Sequence, residues 1–189
     1  MSISLTTTHE ISKGIIGLCV GIFCALVGYN NIVDFNSNYQ FVQHVLAMDS
    51  LEPWFDGKAL MGRAITDETF HFIGYCGVII GEISAGLFCI YGSIKMLRNI
   101  RRPEFETGQA FYIIGCTIAA LVWYLGFAIV GAEWFQMWAS QWNGQMKAYA
   151  FITFILLTMV YIIIPLQDDT KIQFGNVSDQ GIKPINVLT

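Results

Sequence analysis

Charge is what this chain most lacks. Only 13% of its 189 residues are Asp, Glu, Lys or Arg, where an ordinary soluble domain carries about 25%. A soluble globule keeps itself dispersed by covering its surface with charge, and too little is available here. With 54% hydrophobic residues, lipid is the covering that fits. The net charge of -4 is small and mixed in sign, which argues against a nucleic-acid partner. Signature motifs are missing too. There is no GxSxG, P-loop or GxGxxG, so hydrolase, NTPase and dinucleotide-binding readings lack support. The five cysteines (Cys19, Cys24, Cys76, Cys89 and Cys116) lie inside apolar runs and form no CxxC pair. An odd number in such places suits neither a disulfide framework nor a zinc knuckle. They read as small apolar residues that let helices approach.

What is present is a set of long charge-poor windows. Twenty uncharged residues span 14–33, and twenty-six span 69–94 with Glu82 as the one interruption. A further twenty-six cover 107–132 and twenty cover 148–167. About 20 mainly apolar residues cross a hydrocarbon core as a helix. In the absence of water each window must satisfy its own amide groups, which only a helix does within one segment. The expected fold is all-α: a single four-transmembrane-helix bundle over residues 1–167, followed by a polar tail over 168–189. The first window is long for a signal peptide and no A-x-A site follows it, so it reads as a retained helix. Seven basic residues (Lys13, Lys95, Arg98, Arg101, Arg102, Lys171 and Lys183) fall on one side of this arrangement and three (Lys58, Arg63 and Lys147) on the other. That asymmetry predicts both termini in the cytoplasm.

Membrane helices associate by close backbone approach and hydrogen bonds rather than by apolar burial. Gly17 and Gly21, Gly77 and Gly81, and Gly115 and Ala119 all have the GxxxG-type spacing that permits it. The two outer connections are unusual. In 39–48, Phe41, Val42, Val45, Leu46 and Met48 recur at helical spacing, which predicts a short amphipathic helix along the outer surface, ended near Asp49 and Ser50. In the second connection Trp134, Trp138 and Trp142 are spaced by four, so a helix would stack them on one face. Tryptophan suits a membrane interface in any case. A recognition platform built with the first connection's helix is the sharper reading.

Glu82 is the candidate for chemistry. It sits at the centre of its window, so it is expected near the bilayer midplane, where a charge costs about 2.5–3.5 kcal/mol even on lenient scales. Such a residue should face the bundle interior, largely protonated and hydrogen-bonded across it, with Thr117 and Thr158 as the expected partners. His71 returns to nearly the same helical face eleven residues earlier, with Tyr75 between. This polar line is either a proton or ion path or a structural hydrogen bond that keeps the helices in register. His44 and His71, with Asp49 and Glu133, match no tight metal-ligand spacing. They are the only histidines near the membrane and no CxxCH is present, so haem lacks support. No metal or cofactor is expected.

These segments resemble a known group. Tyr29-Asn30-Asn31, Phe41-Val42-Gln43-His44-Val45-Leu46 with Met48-Asp49, Arg63-Ala64-Ile65, Gly131-Ala132-Glu133-Trp134-Phe135, Met137-Trp138 and Trp142-Asn143-Gly144-Gln145 are similar to motifs of the bacterial small integral membrane proteins grouped as domain of unknown function 2165. A tryptophan usually precedes the Arg-Ala-Ile triplet there, and this chain has Gly62 instead. The resemblance implies a bacterial inner-membrane protein with this topology and carries no activity with it. It places the recognisable motifs on the outer connections.

The leading expectation is therefore a non-enzymatic binding component or accessory subunit of a membrane complex. It would act through an outer cap of His44, Asp49, Glu133, Trp134, Trp138, Trp142 and Asn143, with the bilayer, a complex partner or a second copy as its company. A small proton- or ion-coupled transporter centred on Glu82 is the alternative, weakened by the lack of an inverted repeat. A membrane enzyme using the outer histidines and carboxylates has no motif behind it.

Overall fold

A computed structural model describes residues 4–165, so the tail expected at 168–189 lies outside the described residues. The chain forms α1 (Leu5–Val33), α2 (Phe35–Ala47), α3 (Glu68–Arg98), α4 (Glu104–Ala120) and α5 (Gln145–Ile163). α4 continues without a break as a π-helical stretch, Leu121–Trp134. Short 3-10 turns occupy Lys58–Arg63 and Met137–Ala139. Four of these helices are long and apolar enough to cross a membrane: α1, α3, α4 with its π-helical continuation, and α5. Large apolar side chains such as Ile80 and Leu87 are more than 60% exposed, an arrangement that suits lipid rather than water.

α1, α3 and α4 with its continuation overrun their uncharged windows, while α5 starts early and ends at Ile163, short of the expected 167. α3 starts at an N-cap where the Thr69 amide donates to Asp67 Oδ1 (2.8 Å). Glu68 lies in its first turn, and Lys95 and Arg98 lie in its last, so charge matches the helix dipole at both ends. α1 begins nine residues before its window, and Glu10 there accepts from the Arg101 amide (2.7 Å). Arg101 is held with φ 63° in the connection between α3 and α4.

α1 and α3 pack antiparallel at backbone contact. A Cβ added at Gly21 would lie 2.7 Å from the Ile90 amide nitrogen, and one at Gly86 2.6 Å from that of Ala25. The seam between α3 and α4 is as tight, with a Cβ at Gly92 falling 2.5 Å from the Tyr112 nitrogen. Gly77 differs from expectation. Its partner in the motif, Gly81, meets Val122, but nothing lies within 4 Å of Gly77 itself, so that GxxxG is not a helix–helix seam.

α5 closes the bundle through hydrogen bonds as much as through packing. Gln109 Nε2 donates to the Ile162 carbonyl (2.5 Å) and Tyr112 Oη to Thr158 Oγ1 (3.0 Å). At the same end, buried Lys13 donates from Nζ to the Ile164 carbonyl (2.5 Å), just past the end of α5, and Tyr161 Oη donates to Ser12 Oγ (2.9 Å). A cation at the carbonyl-rich end of a helix is favourably placed. We call this the terminal end of the bundle.

The other end carries a cap. α2 starts at Phe35, four residues earlier than the periodicity predicts, and stops where Met48 takes a left-handed conformation (φ 51°). It crosses α3 near Gly74 and Tyr75, with the Phe35 and Tyr75 rings 4.7 Å apart. Val45 and Met48 join Ala132, Phe135 and Met137 in a small second core. An isolated bridge between Leu51 and Ser140 ties the two connections together.

Candidate functional site

Beneath the cap lies a cavity of about 440 Å³. α1 contributes Asn30 and Asn31, α2 contributes Asn38 and Phe41, and α3 contributes Tyr75 and Glu82. The π-helical stretch adds Trp123 and Phe127, and α5 adds Lys147 and Phe151. Widened i→i+5 turns are rare and recur at functional sites; here they set two aromatic rings, with centroids 5.0 Å apart, on the cavity side. Segment 141–144, with Trp142 and Asn143, forms the remaining wall.

Glu82 is 2% exposed, and its hydrogen bonds differ from those expected. Asn31 Nδ2 donates to Glu82 Oε2 (2.6 Å), and Asn38 Nδ2 donates in turn to Asn31 Oδ1 (2.7 Å). Tyr75 Oη donates to the Asn31 carbonyl (3.1 Å). Thr117 and Thr158 are not partners. Thr117 turns its hydroxyl back to the Ile113 carbonyl, while Thr158 bonds Phe154 and Ile155 carbonyls and accepts from Tyr112. Back-bonding to the preceding turn is the usual resting place for a helical threonine.

Glu82 is level with Asn31, two residues from the end of α1, so it lies nearer the capped end than the midpoint of that helix. α3 overhangs α1 at this end, where it runs up to meet α2. The second carboxylate oxygen, Oε1, is buried and has no hydrogen-bond partner among the described residues.

His71 lies on the same face of α3 and is 2% exposed. Its Nε2 meets the Ile65 carbonyl at 2.7 Å. A carbonyl can only accept, so Nε2 carries the proton and, in the neutral ring, Nδ1 is bare. Nδ1 also has no partner among the described residues. Tyr75 sits between His71 and Glu82 in sequence, and its hydroxyl points to α1.

The cap residues are dispersed rather than stacked. Trp134, Trp138 and Trp142 do not share a helix face, because Gln136 turns left-handed (φ 58°) between the first two and Ser140 is extended before the third. Trp134 receives the Arg63 guanidinium over its ring at 4.5 Å. Trp138 packs edge-on against Phe55 (5.2 Å), and its indole N–H donates to Gln136 Oε1 (3.1 Å). Trp142 stacks on His44 (4.9 Å, 16°), and His44 Nδ1 lies 2.8 Å from Asp49 Oδ1. Asn143 Nδ2 donates to the Trp138 carbonyl (3.1 Å), while Glu133 is exposed and its backbone carbonyl accepts from Gln136. Among the described residues no three His, Cys, Asp or Glu side chains converge as metal ligands would.

Residues 9–165 match the family described as predicted small integral membrane protein, DUF2165. The chain belongs to that family. The matched region holds the four spans except for the first four residues of α1, together with the cap and every residue of the cavity. No curated protein and no solved structure matches the chain.

Asn31 and Asn38 are the residues that reasoning from the sequence missed. The signal available was Asn30-Asn31 at the end of an apolar window: a carboxamide within a helix bound by lipid needs a partner, and Glu82 is the one stranded acceptor.

Proposed function

We propose that this protein is a non-enzymatic membrane binding component that takes a small ligand into the cavity beneath its cap. The capped end then faces the outer side of a bacterial inner membrane, and both chain ends lie in the cytoplasm. One observation carries the reading: a buried glutamate that lines a roomy cavity, with one side-chain oxygen held by Asn31 and the other without a hydrogen-bond partner among the described residues. Buried polar groups without partners are rare, and those that persist call for an explanation such as an absent ligand. The orientation is supported by the seven-to-three distribution of basic residues and by the cluster Lys95, Arg98, Arg101 and Arg102 at the terminal end. His44, Asp49, Trp142 and Asn143 form the cap above the cavity, and an accessory role in a larger membrane complex uses the same surface.

A carrier centred on Glu82 is less well supported. Past Glu82, toward the terminal end, Ala85, Cys89 and Cys116 are fully buried and Met96 follows them. The packing there is closed, so the cavity serves one face.

Thiol labelling tests the reading. Asn143→Cys at the cap and Val27→Cys, which lines the cavity below Asn31, are each exposed to a charged, membrane-impermeant thiosulfonate on intact cells. Both variants should react, and the unmodified chain, whose cysteines lie in the spans, should not. An unreactive Val27→Cys beside a reactive Asn143→Cys would mean that the cavity is closed. Reaction of Asn143→Cys only after permeabilisation would reverse the orientation.

A further inference from the structure

The donors around Glu82 indicate what the cavity lacks. Once Glu82 Oε2 accepts from Asn31 Nδ2, Asn31 Oδ1 is left as an acceptor, and it takes its proton from Asn38 Nδ2. Tyr75 donates to the Asn31 backbone and not to the carboxylate. None of these donors reaches the other carboxylate oxygen, and Glu82 Oε1 is buried without a hydrogen-bond partner among the described residues. A water could satisfy it, but the walls add a second requirement. Tyr75, Trp123, Phe127, Trp142 and Phe151 present aromatic rings to a space whose floor is an acid. Aromatic faces attract cations electrostatically, more strongly where water is excluded. The only cationic side chain among the described lining residues, Lys147, is exposed, in the first turn of α5 at the mouth.

Resting on the reading of this cavity as a ligand site, we propose that it binds a primary ammonium group, which donates to Glu82 Oε1 while the aromatic walls surround its charge. A primary ammonium carries three donors. A quaternary one carries none and leaves Oε1 unsatisfied, and an anion meets the carboxylate directly. A second cavity of about 230 Å³ shares Phe41, Val42, Val78 and Phe127 with the first and is lined by apolar residues. The amine it fits therefore has an apolar body. Such a group is found both on soluble amines and on lipid headgroups.

The test uses the full chain in phosphatidylcholine nanodiscs, with quenching of tryptophan fluorescence read as benzylammonium chloride is added. Trp123 and Trp142 report directly because they line the cavity. Saturable quenching is expected below about 10 mM, while benzyl alcohol, sodium benzoate and benzyltrimethylammonium are weaker by about tenfold or more. Glu82→Gln should lower the benzylammonium affinity by at least about tenfold and leave the weak benzyl alcohol response unchanged. Phe127→Leu, which keeps the carboxylate and its hydrogen bonds, should weaken the ammonium alone. Nanodiscs containing phosphatidylethanolamine separate the sources. A loss of apparent benzylammonium affinity there identifies a lipid headgroup as the competitor, and no change identifies a soluble amine. Benzyl alcohol binding as tightly as benzylammonium would overturn the ammonium assignment while leaving a ligand cavity. Absence of saturable quenching by benzylammonium would overturn it too, and the labelling of Val27→Cys then says separately whether the cavity reading survives.

Discussion

From Gly14 to Ala25, α1 lies against α3 so closely that glycine or alanine must occupy the seam. From Val27 to Asn31 the same helix borders a cavity and carries an amide that bonds a buried acid. The terminal half of the bundle is closely packed, with Cys24, Cys89, Cys116 and Met96 at its centre. The capped half is polar at its floor, aromatic on its walls and covered by α2 and the segment before α5. Helices in lipid gain little from apolar burial, so close packing and hydrogen bonds between spans hold the first half together. Both halves hold a buried group without a partner among the described residues, Ser93 Oγ in the first and Glu82 Oε1 in the second, but the second sets its acid beside a cavity. A site that keeps a carboxylate oxygen without a donor needs a scaffold whose stability comes from elsewhere.

The comparison can be broken most directly at the seams. Gly92→Leu places side-chain atoms into the α4 backbone and should destabilise the bundle by about 3 kcal/mol or more, measured as loss of helical signal and of monodispersity on titration with denaturing detergent. Gly77→Leu, with open space around it, should leave the same titration within about 0.5 kcal/mol of the starting protein; a loss equal to that at Gly92 would show that Gly77 also faces a packed surface. Asn31→Leu comes next. It strips Glu82 of its partner and should cost about 1–3 kcal/mol, with Asn31→Asp worse because it sets a second acid beside the first. If Asn31→Leu were as stable as the native chain, the bonding at the cavity floor would not hold α1 to α3.

The smallest effect belongs to the cap of α3. The Thr69 amide beside Asp67 holds that carboxyl below its usual range. A lowered folded-state value means that the contribution is present above the ordinary carboxylate range and fades as pH falls below about 4. Asp67→Asn keeps the capping oxygen and removes the titration, so its stability should follow a flatter pH profile between about pH 5 and 2. An unchanged profile would place the acid sensitivity elsewhere.

Much of the fold is legible because lipid imposes a simple rule: uncharged windows of sufficient length become spans. Their ends are harder to place. The polar start of α1 is held by distant contacts, such as the one Glu10 makes with the Arg101 amide, 91 positions away, and the one Ser12 makes with Tyr161. The cap was legible as amphipathic around Phe41 and Val45, but spacing could not show that Gln136 breaks the tryptophan register by turning left-handed. Glu82 stands out by its charge alone. Its partner was hidden, because it depends on how far α3 slides past α1, and that is set by the glycine contacts along the seam rather than by either helix on its own.

The link from Lys13 to the carbonyl of Ile164 joins α1 to the end of α5, the first and last of the described spans. Chains emerge from the ribosome N-terminal end first, at about 5–20 residues per second, so the opening span waits roughly ten seconds for its final neighbour to be made. During that interval a lysine amine sits in or near the bilayer without the acceptor that later receives it. The ring of helices is therefore sealed by its newest member, and truncation anywhere before α5 leaves the oldest one unfinished.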